Sequence, residues 1–141
     1  MTKYNKFSKT PSVIFSFKHR WYDPIINGEV GVFFRKRGPN KTPSHVLVYL
    51  GAPVSSIISI SEVQKITHVD LSTALELAEL GCISEDELKN YVGETGLVSA
   101  IFIKNHIKFD KALSISDLRK ILNFHPPQNF IQIDNDIRIL I

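Results

Sequence analysis

EVGVFFRKRGPNKTPSHVLVYLGAPVSSIISISEVQKI, residues 29–66, decides the fold class of this chain of 141 residues. Three segments of it (29–37, 44–51 and 54–66) are rich in β-branched and aromatic residues, a composition typical of strands. The linkers between them, GPNKTP and a stretch ending at Pro53, have turn composition and leave no space for a helix. Consecutive strands without intervening helices argue against a parallel sheet and favour a mixed β-barrel.

The flanking segments add one strand before this stretch and several elements after it. In SVIFSFK at 12–18, successive side chains alternate between two faces with the period of a strand. A short helix over 21–27 follows and ends at Gly28. Ser84 and Glu87 form a capping-box pattern at the start of one later helix. The predicted later elements are helices at 70–81, 84–93 and 114–122, a strand at 98–110, an extended proline turn at 124–130 and a last strand at 136–141.

The composition is that of one globular domain that can fold without disulfides or bound metal ions. The single cysteine, Cys82, excludes an intrachain disulfide and any multi-cysteine zinc site, and it fits a reducing cytoplasm. No histidine has metal-ligand spacing, so we expect no metal and no cofactor. No apolar run reaches the roughly 18 residues that span a bilayer, and residues 1–12 do not have the pattern of a secretion signal, so we expect no membrane partner. We predict a flexible basic arm at 1–11 and a single cytoplasmic domain at 12–141.

The charge is unevenly distributed along the chain. Residues 1–45 contain nine Lys/Arg and two acidic residues, a net charge of +7. Residues 46–141 contain eight basic and twelve acidic residues, a net charge of −4, which gives the total of +3. Such asymmetry favours a basic face that contacts phosphate backbones. The alternative is a solvated N-terminal arm together with chance clustering.

Four short motifs in order resemble the ASCH family, a branch of the PUA-like superfamily. They are Ser16-Phe17-Lys18-His19, Ile25-Ile26-Asn27-Gly28, the strand from Gly28 to Arg37, and Pro126-Pro127-Gln128-Asn129-Phe130. The resemblance covers about residues 12–131. It implies an α+β fold, a PUA-like mixed β-barrel of about five to six strands with short helices closing the ends.

Three positions depart from the family pattern. Val30 stands where the family has a lysine, Phe33 where it has an acidic residue, and His19 where it has a proline. In members that resemble small amidohydrolases of modified nucleosides, that lysine is expected to activate the nucleophile or water. Val30 and Phe33 cannot do this, so the sequence argues against an enzyme of that type.

Seven residues are candidates for nucleic-acid contact: Lys18, Arg20, Trp21, Arg35, Lys36, Arg37 and Lys41. The strand pattern places Arg35 and Arg37 on one face, where their guanidinium groups would grip successive phosphates. The family fold would place Lys18 on a strand beside them. Trp21 is the preferred base-stacking residue, ahead of Tyr22 and Phe33. The alternative is a charged strand edge that is simply solvated.

A pocket for one base is the second candidate feature. Ser16, Tyr49 and Gln128 are its predicted lining residues, since a side-chain amide can both donate to and accept from a base edge. Gln128 could equally bond a neighbouring loop.

The leading hypothesis is therefore a non-catalytic, regulatory module that binds RNA or another single-stranded nucleic acid. One alternative is a hydrolase of acylated nucleosides, or a ribonuclease, with a rearranged site built from Lys18, Glu29, Lys36 and Tyr49. The other is a regulatory domain that binds a protein partner through the acidic helices at 70–93.

Overall fold

Six strands and four α-helices make up the part of the chain that the computed structural model describes, residues 11–39, 41–122 and 130–133. The strands are β1 (Ser12–Phe17), β2 (Val32–Arg35), β3 (His45–Leu50), β4 (Ser56–Asp70), β5 (Leu97–Ser114) and β6 (Phe130–Ile133). The helices are α1 (Tyr22–Ile26), α2 (Leu71–Glu76), α3 (Glu85–Val92) and α4 (Ile115–Leu122), with 3₁₀ turns at His19–Trp21 and Gly93–Thr95. None of these helices is long and apolar enough to cross a bilayer.

The strands form one mixed sheet in the order β2-β5-β4-β3-β1-β6. β1 pairs with β3 in parallel, and every other neighbouring pair is antiparallel. The long antiparallel pair of β4 and β5 contains three register shifts between Ile57 and Lys65, and such bulges bend a strand and increase its twist. The sheet curls into a half-barrel with short helices, which confirms the predicted α+β, PUA-like mixed barrel.

The sheet is covered on both faces, which explains the nearly continuous apolar runs of β1 and β3. On the face toward α4, Ile14, Leu47 and Tyr49 pack against Leu118. The other face of the same strands forms the barrel interior, where Phe15 is fully buried. A third cluster joins α2 and α3 to β2 and β5; its buried members are Val32, Phe34, Val69, Ala74, Ala78, Leu88, Val92, Val98 and Ala100.

The predicted helix caps at Ser84 and Ser114 are present. Ser84 Oγ accepts from the Glu87 N–H at 3.1 Å, and Ser114 Oγ accepts from the Asp117 N–H at 3.2 Å. The predicted capping role of Glu87 is not seen, since its carboxylate forms an ion pair with Arg20. α2 is shorter than the predicted helix at 70–81, because the chain turns after Glu76.

Strand lengths differ from the prediction in the middle of the chain. β2 is only four residues long: before it, the Gly31 N–H donates to Leu80 O at 2.9 Å while the Gly31 carbonyl still accepts from Ile103 of β5, and after it the chain bends at Lys36 and Arg37. β4 and β5 are longer than predicted because they pair with each other over most of their length.

A strand that the sequence did not predict, β6, begins at Phe130 and pairs antiparallel with β1. Residues 1–10 of the predicted arm, positions 124–129 of the proline turn and the predicted strand at 136–141 lie outside the described residues.

Candidate nucleic-acid interface

A cleft of about 330 Å³ opens between the end of β1, strand β2 and helix α3. Its lining combines cations with aromatic rings, and one carboxylate contributes to its wall. The lining residues are Ser16, Phe17, Lys18, Arg20, Trp21, Val30, Val32, Phe33, Phe34, Arg35, Gly81, Ile83, Glu87 and Tyr91. Because charged and aromatic groups converge on a partly enclosed space, the cleft is the candidate ligand site of the described residues.

The rings of Phe17 and Phe33 form the bottom of the cleft, with the fully buried ring of Phe15 behind them and a guanidinium on top. The rings of Phe17 and Phe33 are 4.8 Å apart between centroids, and Phe15 meets both of them edge to face. Cζ of Arg35 lies 4.4 Å from the Phe17 ring centroid and 5.0 Å from that of Phe15. Cation–π contacts of this kind hold the guanidinium against the rings.

Arg35 also joins two strands that do not pair in the sheet. Its Nη2 donates to Ser16 O on β1 at 3.0 Å, and its Nη1 donates to Phe34 O on β2 at 3.0 Å. The Tyr91 hydroxyl of α3 lies beside the same guanidinium. Burial lowers the pKa of Arg35, and the Tyr91 contact partly opposes this.

The predicted adjacency of Lys18 and Arg35 needs a correction. β1 and β2 are not neighbours in the sheet order; they approach each other because the sheet curls, and the Arg35 side chain spans the gap. Arg35 and Arg37 do not share a phosphate-gripping face either. Arg35 is packed on phenylalanine rings, whereas Arg37 lies in a bend beyond the end of β2 and is exposed.

The rim of the cleft carries a stacked cation–aromatic pair. Cζ of Arg20 lies 4.4 Å from the Trp21 ring centroid, and Arg20 also forms an ion pair with Glu87 of α3. The side chains of this ion pair are 51% and 41% exposed, so the pair is in contact with solvent. Lys18, exposed after the end of β1, lines the same rim.

Glu87 and Tyr91 are site residues that the sequence reasoning missed. They lie four residues apart on α3 and therefore share one side of that helix. Leu88 and Val92, the next residue in each case, are fully buried, so this side flanks the packed face. Tyr91 Oη also accepts from the Lys36 N–H at 3.1 Å. The helical spacing was visible in the sequence, but the partner of that helix face was not.

The structure brings together five of the predicted site residues: Ser16, Lys18, Arg20, Trp21 and Arg35. The contact of Ser16 with Arg35 there is made by its backbone carbonyl.

The other predicted site residues lie elsewhere. Lys36, Arg37 and Lys41 are exposed and outside the lining of the cleft. Tyr49 was predicted as a pocket residue, but it is only 3% exposed and packs with Ile14 and Leu118 toward α4. Gln128 lies outside the described residues.

The residues suspected of a rearranged catalytic site are not assembled. Of Lys18, Glu29, Lys36 and Tyr49, only Lys18 lines the cleft. Burial, with a contribution from the charge of Glu29, raises the pKa of the Cys82 thiol and so disfavours its reactive thiolate form. Within residues 11–39, 41–122 and 130–133, no group of His, Cys, Asp and Glu side chains could hold a metal ion.

Comparisons with known proteins show where this architecture occurs. No protein-family profile matches the sequence, and no curated protein does either. The crystal structure of ASCH from Zymomonas mobilis is similar at a TM-score of 0.80 and 24% identity, over 86% of this chain and 87% of that chain. A serine-to-alanine variant of the same protein gives a TM-score of 0.80 at 22% identity, over 89% and 90% of the two chains. The N-terminal domain of Staphylothermus marinus McrB is more distant, with a TM-score of 0.53 and 12% identity over 86% of this chain and 85% of that one. The curled sheet, the cleft beside it and these structural neighbours together show that the chain has the fold of the ASCH domain.

Proposed function

We propose that this chain is a module that binds single-stranded RNA and holds one nucleotide in the cleft. The observation that carries the proposal is the Arg20–Trp21 pair at the rim, beside Lys18 and above the phenylalanine rings at the bottom of the cleft. A base can stack on an indole, and cations beside it can contact the neighbouring phosphate. RNA-binding modules commonly combine these two features.

The size and charge of the cleft support this ligand class. A volume of about 330 Å³ is at the lower end of the range for small-ligand sites, which suits one nucleotide better than a longer segment. Three cations line the cleft against one carboxylate, Glu87, which is paired with Arg20. Lys18 and Arg35 form no ion pair with any carboxylate in the described part of the chain.

Exposed cations beyond the cleft extend the basic surface. Lys36 and Arg37 follow directly after β2, and Lys41 lies in the next loop. In the proposal these residues contact phosphates that flank the bound nucleotide, which adds affinity without sequence preference. The residues predicted to contact nucleic acid thus act in two places: some bind the nucleotide in the cleft, and others bind the RNA that extends out of it.

Intrinsic fluorescence tests the proposal directly, because Trp21 is the only tryptophan of the chain and lines the cleft. Short single-stranded RNA should quench Trp21, and matched DNA of the same sequence should bind more weakly if the 2′-hydroxyl is recognised. The affinity should fall as salt rises, with a log–log slope of about −0.7 for each phosphate contact. Unchanged fluorescence together with an affinity that does not depend on salt would refute the proposal.

Two variants separate stacking from charge, measured by the anisotropy of labelled RNA. Trp21→Ala should lose about 1–3 kcal/mol of binding free energy with little change in the salt slope. The double variant Lys18→Ala/Arg20→Ala should weaken binding and flatten the salt slope. Lys111→Ala/Lys120→Ala removes the same charge from exposed positions outside the cleft and should affect binding much less.

A further inference from the structure

Among the residues that the structure describes, the Arg35 guanidinium has only uncharged partners. Two of its contacts are backbone carbonyls, those of Ser16 and Phe34, and the third is the Tyr91 phenol. No carboxylate among the described residues forms an ion pair with it. A cation withdrawn from water without a counter-ion is unfavourable, and burial already lowers the pKa of this group.

The same guanidinium is held in place before any ligand arrives. The rings of Phe15 and Phe17 support its face, and the carbonyl contacts from two strands fix its rotation. A guanidinium carries more N–H donors than these contacts use. Since Arg35 also lines the cleft, it offers a fixed cation with spare donors to whatever enters.

We infer that Arg35 receives the phosphate of the bound nucleotide, so that the cleft prefers a nucleoside monophosphate to the corresponding neutral nucleoside. A phosphate supplies the missing negative charge and matches the planar donor geometry of arginine. The Tyr91 hydroxyl, beside the guanidinium, is placed to donate a further hydrogen bond to the phosphate. Trp21 on the rim would then stack the base. This inference rests on the proposed function and specifies that the phosphate is the part of the ligand that reaches the bottom of the cleft.

The test compares the four nucleoside 5′-monophosphates with their nucleosides, followed by Trp21 fluorescence. The monophosphates should bind at least about tenfold more tightly, the equivalent of one charge-assisted hydrogen bond. Inorganic phosphate should compete with them, whereas acetate at the same ionic strength should compete much less. The ¹⁵Nε–H resonance of Arg35 should shift on addition of monophosphate and stay in place with nucleoside.

Two variants distinguish phosphate binding from the structural role of Arg35. Arg35→Lys keeps the charge but loses the planar fork, and it should reduce the preference for monophosphates to below about threefold. Arg119→Lys is the matched control, since the same substitution at an exposed position of α4 lies outside the cleft and should leave the preference intact. Tyr91→Phe keeps the ring and removes only the hydroxyl, so it should reduce the preference even if Arg35→Lys fails to fold.

The outcomes separate this inference from the proposed function. Equal affinity for monophosphate and nucleoside, with RNA binding intact, overturns the inference and leaves the RNA-binding proposal in place. Tight monophosphate binding without RNA binding supports the inference and overturns that proposal. If neither RNA nor monophosphate binds, both are wrong. A preference that survives in both Arg35→Lys and Tyr91→Phe assigns the phosphate to other residues and also overturns the inference.

Discussion

The ion pair between Arg20 and Glu87 spans the rim of the cleft, and breaking it should strengthen RNA binding. Glu87→Gln keeps the size of the side chain and the backbone N–H that Ser84 caps, but it removes the charge. Arg20 would then be available to an RNA phosphate without first leaving a carboxylate. The substitution therefore frees a cation at the rim while α3 stays in place.

The exposure of the pair limits the size of this effect. With side chains 51% and 41% exposed, such a pair contributes about 0–1 kcal/mol. Its release can therefore raise RNA affinity by up to about fivefold. The free energy of unfolding should fall by no more than about 1 kcal/mol, since the loss of one negative charge in the first turn of α3 is also a small effect. Both changes should shrink at high salt.

Glu85→Gln is the matched control for this experiment. Glu85 lies in the same first turn of α3 and loses the same charge, but it does not line the cleft. Anisotropy titrations of labelled RNA at several salt concentrations, together with urea unfolding of each variant, measure both quantities. The reasoning fails if Glu87→Gln and Glu85→Gln have the same RNA affinity at low salt, or if Glu87→Gln binds more weakly than the unsubstituted chain.

Two further predictions concern stability. Gly81→Ala should cost about 1–3 kcal/mol of unfolding free energy in urea denaturation, because its Cβ would stand 2.8 Å from the buried ring of Phe34. Gly31→Ala should cost less although its nearest contact is 2.5 Å, because that atom is the tip of the Leu80 side chain, which is 44% exposed and can rotate away. The reverse order would contradict this account. Burial lowers the pKa of His106 in the folded protein. As the pH falls, the unfolded chain therefore binds this proton at a higher pH than the folded protein does. The stability that neutral His106 contributes is present above about pH 6.5 and declines as the pH falls below it. His106→Gln should flatten the fall in Tm across this range, and an unchanged pH profile would assign that fall to other groups.

Local patterns predicted most of the secondary structure. Alternation identified β1 and β3 within a residue of their ends, and the caps at Ser84 and Ser114 gave the starts of α3 and α4. These features depend on residues close together in the chain. The lengths of β4 and β5 were underestimated because their outer halves are held by pairing with each other, and that pairing joins distant segments.

The surroundings of Arg35 could not be predicted in this way. Phe33 and Arg35 are two residues apart on β2 and share one face, but the strand pattern could not indicate what that face contacts. The meeting with Phe17 of β1 and Tyr91 of α3 depends on the curl of the whole sheet. The sequence therefore identified Arg35 as a candidate for anion contact and gave it the wrong surroundings, an open groove shared with Arg37.

The seam between β1 and β2 is closed by side chains and not by backbone pairing. Elsewhere in the sheet neighbouring strands are held by ladders of backbone hydrogen bonds, whereas here one side chain, that of Arg35, reaches across from β2 to Ser16. The rings of Phe17 and Phe33 pack across the same line, so the width of the cleft depends on side-chain contacts and not on backbone pairing. Substitutions of Arg35, Phe17 or Phe33 would therefore change the width of the cleft without removing a backbone hydrogen bond from any ladder of the sheet.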